Sequence, residues 1–192
     1  MSDIFFTSDQ HFNHANIIKY CNRPYASTEE MNEALVENYN NIIGPTDTVY
    51  HLGDLTWGAF DLDRLNGNKT LIIGNHDKVS QVGQYFSECY HYLELNKVIP
   101  KGRALVLMHF PIESWNGKFH KSIHLHGHTH GTMDNTGLLR FDVGVDSWDM
   151  KPVSLTEILE KRNERIREAE EMLEKSSRDK GFEELNKVAD KG

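Results

Sequence analysis

Residues 70–77 read TLIIGNHD: a short apolar run of strand character meets a glycine and then delivers Asn75, His76 and Asp77 in succession. Open α/β sheets bind their ligands outside the carboxyl ends of the strands. A strand that ends in amide, imidazole and carboxylate groups therefore reads as one wall of a site.

The same arrangement recurs on both sides of it. IFF at 4–6 leads into Asp9 and His11, and TVYHL at 48–52 leads into Gly53 and Asp54. ALVLM at 104–108 is followed by His109, and SIHLH at 122–126 by Gly127, His128 and His130. RFDVGVD at 140–146, with alternation at Phe141, Val143 and Val145, predicts a sixth strand. Between the first two strands Ser27 and Glu30 form a capping box, Met31, Leu35, Tyr39 and Ile42 recur at helical spacing, and Gly44-Pro45 stops the helix. The fold class is α/β.

Beyond Asp146 the character changes. Ser154 with Glu157 opens a second capping box, and Leu155, Ile158, Leu159, Ile166, Ala169 and Leu173 form a helical stripe among charges. SSRDKG at 176–181 is expected to break this helix, leaving Phe182, Leu185 and Val188 for a last short turn or two. The organisation expected is one body over 1–154 and a helical extension over 155–192, packed on that body or projecting from it. Homo-oligomer formation through this helix is the sharper alternative to a docked and frayed end.

With 21 basic and 29 acidic residues the net charge is −8, which disfavours long duplex nucleic acid and anionic membranes as partners. Cys21 and Cys89 are too few to staple a secreted fold, the first residues lack the pattern of a signal peptide, and no 18-residue apolar run occurs. The expectation is a cytoplasmic chain that does not enter a membrane.

Carboxylate, imidazole and amide oxygen together suit borderline divalent ions such as Mn, Fe, Ni or Zn better than Mg or Ca. Asp9, His11, Asp54, Asn75, His109, His128 and His130 are more ligands than one ion needs, and enough for two ions that share a carboxylate. Asp54 is the natural bridge. Gly53, Gly74 and Gly127 precede ligands where the backbone must pass close to the site. His51 and His124, inside strand runs, read as hydrogen-bonded structural residues, His91 and His120 as solvent-side, and His126 is left out of the ligand set.

The series Asp9-x-His11, Gly53-Asp54, Gly74-Asn75-His76-Asp77, His109 and Gly127-His128-Thr129-His130 resembles the signature of the calcineurin-like metallophosphoesterases over residues 1–154. TSDQHFNHANII, DTVYHLGD and HFPIESWNGK are similar to a small bacterial and phage subgroup of phosphoesterases. The resemblance implies a four-layer α-β-β-α sandwich of two mixed sheets. It implies that Asp9, His11 and His130 hold one ion, that Asn75, His109 and His128 hold the other, and that Asp54 bridges them. It places His76 outside the ligand set, as the catalytic group that contacts phosphate and protonates the leaving oxygen. Trp57 and Asp77 stand where the protein phosphatase branch has a second Asp and a Glu, so a phosphodiesterase is expected over a monoesterase. Asn13 stands where the subgroup more often has Gly, which should alter a loop without removing a ligand.

The expected activity is hydrolysis of a small phosphoester or nucleotide-like substrate by a metal-bridging hydroxide. Asn75, Arg23 and Trp115 are candidate substrate contacts, with Lys118 and Lys121 as further cations; Phe12, Trp57 and Phe110 either pack or stack on a base. A nuclease on short or single-stranded nucleic acid is one alternative. A non-catalytic scaffold on the same fold is the other, and the full ligand set weighs against it.

Overall fold

Phe5 and Phe6 point to opposite faces of one strand and belong to two different cores, and that division organises the molecule. A computed structural model describes residues 2–99, 104–135 and 137–189, those after 176 by backbone alone. The first sheet has the order β4-β3-β2-β1-β9, from β1 (Ile4–Thr7), β2 (Thr48–His51), β3 (Asn68–Ile72), β4 (Glu88–Tyr90) and β9 (Val153–Ser154). Its first four strands run parallel and β9 pairs antiparallel with β1. The second sheet has the order β5-β6-β7-β8, from β5 (Tyr92–Leu95), β6 (Leu105–Met108), β7 (Ile123–His126) and β8 (Arg140–Asp142), with only β5 antiparallel. The chain is thus mixed α/β with two mixed sheets, a one-turn helix α3 (Val79–Val82) and a long C-terminal helix, α4 (Leu155–Ala189).

Side-chain alternation decides what each face meets. Phe5, Val49 and Leu71 face outward from the first sheet onto Ile17 of α1 (Ala15–Tyr20) and onto Met31, Leu35 and Tyr39 of α2 (Thr28–Asn40). Phe6, Leu52 and Ile72 face inward and meet Leu105, Leu107, Ile123, Leu125 and Phe141 of the second sheet. Ile158 of α4 is fully buried against this inner core, with Leu155 and Leu159 beside it. Ser27 caps α2 by accepting from the Glu30 N–H at 3.1 Å, and Ser154 does the same for Glu157 at 3.2 Å; the reciprocal bond of a capping box is made by the Ser154 N–H to Glu157, while the Glu30 carboxylate accepts from the Ala26 N–H.

Two expectations change. The helix does not break at 176–181, because Ser and Asp are tolerable in a helix and the single Gly181 costs only about 1 kcal/mol there. Of the run at 140–146 only the first three residues are strand: Asp142 Oδ1 accepts from the Gly144 N–H at 2.7 Å, and Gly144 crosses to bridge Ser8 of the first sheet. The apolar stripe of α4 buries only its beginning, and Leu173 is 69% exposed. No described helix is long and apolar enough to cross a membrane.

The outer face of the second sheet is covered by the segment after β6, in which the 3-10 turn Lys118–His120 follows Trp115. Beneath it His124 is fully buried, accepting from the Ile112 N–H at 3.2 Å, with its other ring nitrogen 3.1 Å from the Val106 carbonyl. Burial lowers His124 from its ordinary 6.5 to about 4. A histidine depressed in this way takes its proton later than the unfolded chain does, so its stability contribution is full above pH 6.5 and falls as the pH drops toward 4. At pH 5 the loss is about 2 kcal/mol from this one residue. Urea midpoints at pH 7 and pH 5 are expected to differ by more in the parent chain than in His124→Gln; equal differences would remove His124 as the cause.

Candidate metal centre

Because β1, β2 and β3 are parallel, as are β6 and β7, their carboxyl ends bring the segments after them to one edge of the two-sheet body. Those segments interlock: the Asp9 N–H donates to the Gly53 carbonyl at 3.0 Å, His11 N–H to the Asp54 carbonyl at 3.1 Å, and Gly127 N–H to the His109 carbonyl at 3.0 Å. Asp9, His11, Asp54, His128 and His130 all adopt left-handed backbone, with φ of 60, 51, 56, 68 and 48°. Each such residue costs on the order of 1 kcal/mol, and such strain collects at functional sites. Asn13 also sits at φ 65°, a conformation asparagine tolerates, and its side chain donates to the Ala59 carbonyl at 2.6 Å, so its loop keeps its shape without glycine.

The sequence-predicted residues form two groups. Asp9, His11 and His130 each place a ligand atom within 4.8 Å of the others, and so do Asp54, His109 and His128. Asp54 Oδ2 lies between the groups, 3.6 Å from His11 Nε2 and 3.6 Å from His109 Nε2. Asn75 Oδ1 is 3.0 Å from His109 Nε2 and joins the second group. His76 Nε2 is 3.9 Å from the same Asp54 oxygen, and its side chain is 39% exposed, on the open side of the cluster with Asn75 and His128, whereas Asp9, His11, Asp54 and His109 are buried.

The chemistry of these groups fits divalent cations. Both ring nitrogens of His11 are buried with no hydrogen-bond partner among the described residues, a cost of roughly 1–3 kcal/mol each unless something binds there. Burial raises Asp9 to about 8 and lowers His11 to about 2, so in a bare site both groups resist charge. A cation reverses that preference for the carboxylate and uses the neutral imidazole as it stands.

Two acids outside these two groups hold the site in shape. Asp146 Oδ2 accepts from His130 Nδ1 at 2.7 Å while Arg23 donates to both Asp146 oxygens at 2.8 Å, which leaves His130 Nε2 for the cluster. Burial of the His130 ring opposes its protonation, but the bonds to Asp146 and Cys21 win and raise its pKa; burial likewise opposes ionisation of Asp146, and its bonds with His130 and Arg23 win and lower its pKa. Asp77 accepts from three backbone N–H groups, Asp54 at 2.9 Å, Leu55 at 3.0 Å and Gly74 at 2.8 Å, and so ties the turns after β2 and β3 together. Asp146 carried a signal, an acid at the end of a strand-like run, in a stretch read only for its alternation.

Arg23 and Trp115, expected to touch substrate, do not face the site. Arg23 is 4% exposed, because its guanidinium is consumed by Asp146 and by the carbonyls of Gln10 and Asp9 at 2.8 and 2.6 Å. Trp115 is 7% exposed and packs near His124 with ring centroids 5.5 Å apart. Phe12 is stacked on Phe60 in the core, Lys118 bonds Glu113, and Lys121 pairs with Glu170. His51 contacts the Gln10 side chain and the Gly53 N–H, and His126 the Gly127 carbonyl, as structural histidines do. His91 and His120 are exposed. In front of the cluster a cavity of about 800 Å³ is lined by His11, Asp54, His76, His128 and His130, continuing onto α1 and Trp57.

The fold and this edge define a mixed α/β protein with a buried Asp/His cluster at its strand ends. The chain belongs to the family of the uncharacterized Methanocaldococcus jannaschii protein MJ1445, with which it is 39% identical over 168 residues, 81% of this chain and 88% of that one. It is also similar to the gene 66 protein of Mycobacterium phage L5, 29% identical across 77% of this chain and 88% of that one. Among solved structures it resembles AQ665, a protein of unknown function from Aquifex aeolicus, with a TM-score of 0.68, 29% identity and coverage of 83% of this chain and 99% of that one. No family model matches the chain.

Proposed function

We propose that the chain is a metal-dependent phosphoesterase with a preference for diesters, on a calcineurin-like four-layer sandwich. The observation that carries this reading is the position of the Asp54 carboxylate, one oxygen of which lies 3.6 Å from a histidine of each group. Asp9, His11 and His130 would hold one divalent ion, Asn75, His109 and His128 a second, and Asp54 would serve both. When bound, such ions supply a water made acidic enough to act as nucleophile near neutral pH, and positive charge for phosphoryl oxygens.

The chain's own residues do the rest. Asp146 holds the proton of His130 on Nδ1, so that Nε2 is available as a donor of electrons. Asp77 fixes the turns that carry Asp54 and Asn75. The His76 N–H donates to Asp54 Oδ1 at 2.9 Å, which anchors its backbone while its side chain reaches the cavity. That imidazole is placed to hold a proton at the mouth of the site and deliver it to the departing oxygen.

The test is hydrolysis of bis-p-nitrophenyl phosphate by protein loaded with Mn, Ni or Zn. His76→Ala is expected to lower kcat by ~10²- to 10⁴-fold while the bound metal content stays the same. Hydrolysis that is undiminished in His76→Ala would remove the proton donor, and no hydrolysis of any mono- or diester by fully loaded protein would remove the reading.

A further inference from the structure

The cavity before the cluster is lopsided. One wall carries Asp54 and the histidines of the cluster; the other is a run of rings that leads away from them. Trp57 lies 5.2 Å from His76 between centroids, His14 is stacked on Trp57 at 4.5 Å and 15°, and Tyr20 meets His14 edge-on at 6.4 Å. Trp57 is 51% and Tyr20 74% exposed. Scattered exposed aromatics need no explanation. These two share a cavity with the candidate centre, and Ile17 and Tyr20 present to it one face of α1.

Charge sets the second condition. Among the described residues no Lys or Arg lines this cavity; Lys78 lines the neighbouring hollow with Trp57 and His76, and Arg23, Lys118 and Lys121 are engaged by Asp146, Glu113 and Glu170. Within this cavity a substrate with several phosphates would meet no Lys or Arg among the described residues. The overall charge of −8 acts in the same direction.

We propose that the site takes a small phosphodiester carrying one negative charge and a planar heteroaromatic head of nucleobase type, with the head resting on Trp57 and Tyr20 while the phosphate meets the Asp/His cluster. The proposal rests on the phosphoesterase reading for its second half only. It selects dinucleoside monophosphates and cyclic nucleotides over nucleoside triphosphates, and over diesters without a ring. Stacking is sequence-tolerant because every base has a π-face, so purines and pyrimidines should both be accepted.

The experiment compares a dinucleoside monophosphate, its base-free counterpart and ATP as substrates of the Mn-loaded protein. It is paired with tryptophan-fluorescence titrations using adenosine 5′-monophosphate and ribose 5-phosphate. The base-bearing diester is expected to exceed the base-free one in kcat/KM by roughly 10- to 100-fold. Trp57→Ala and, separately, Tyr20→Ala should pull that ratio toward one, chiefly through KM. Adenosine 5′-monophosphate should quench fluorescence in the parent chain and not in Trp57→Ala, and ribose 5-phosphate should quench neither. Equal rates for the two diesters, or faster turnover of ATP, would overturn the proposal, as would quenching unaffected by Trp57→Ala. Selective quenching without hydrolysis of any ester would sustain the base platform and overturn the phosphoesterase reading alone.

Discussion

An Asp54→Asn chain is expected to fold, to respond to added metal far less than the parent, and to hydrolyse diesters ~10³-fold or more slowly. Asparagine keeps the shape of the side chain and an oxygen to accept the His76 N–H, now made at 2.9 Å by Asp54 Oδ1. What it loses is the charge on the one oxygen that stands 3.6 Å from both His11 and His109. A carboxylate that serves two ions contributes several kcal/mol of charge stabilisation, and each 1.36 kcal/mol is a factor of ten in rate. Metal-free stability should change little, since the substitution keeps the shape of the side chain and its bond from the His76 N–H. The parent should gain about 2.7 kcal/mol when metal is present at 100 times its Kd, which for a chain of this size raises Tm by about 5–10 °C. Melting curves with EDTA and with excess Mn read that gain in both chains. An Asp54→Asn protein that gains as much as the parent, with the same metal content, would show that Asp54 is not the shared ligand.

The contrast between what the residues announced and what they hid follows from their physical roles. Strands buried on both faces, such as Leu105–Met108 and Ile123–His126, are rich in apolar residues and easily read, and each points to the residue that follows it. β4 and β5 were missed because ECY and YLEL are only half-buried edge or neighbouring strands, and β9 because two residues paired with β1 leave no periodicity. Two sheets could not be separated by pattern alone, since Phe5 and Phe6 are equally apolar and only their alternate direction assigns them to different cores. In the site, residues that offer lone pairs were visible as types. Arg23 and Asp146 were not, because their partnership spans 123 positions and turns a cation that looks available into a buried strut. Trp57 and Trp115 are the same residue type near similar motifs, and only the fold leaves one on the cavity and buries the other.

A Gly74→Ala chain is expected to lose several kcal/mol of stability and its metal response together. A Cβ at this position would lie 2.3 Å from Asp54 Oδ1 and 2.5 Å from the Asp54 backbone nitrogen. The second contact is with main chain, which cannot swing away as a flexible side chain can. The turn after β3 must therefore back away from the turn after β2, which breaks the Asp77 bonds to Gly74 and Asp54 at 2.8 and 2.9 Å and leaves buried N–H groups unpaired. Overpacking costs typically 1–3 kcal/mol and each orphaned group about as much again. Gly44→Ala is the matched control, because there a Cβ would meet only Asp47 Oδ2 at an ordinary 3.4 Å. Urea midpoints should place Gly44→Ala within about 1 kcal/mol of the parent and Gly74→Ala well below both. Where Asp54→Asn removes charge and keeps geometry, Gly74→Ala keeps every ligand and removes the geometry. If the second variant were as stable as the control and still bound metal, the close approach of the two turns would not be what assembles the cluster.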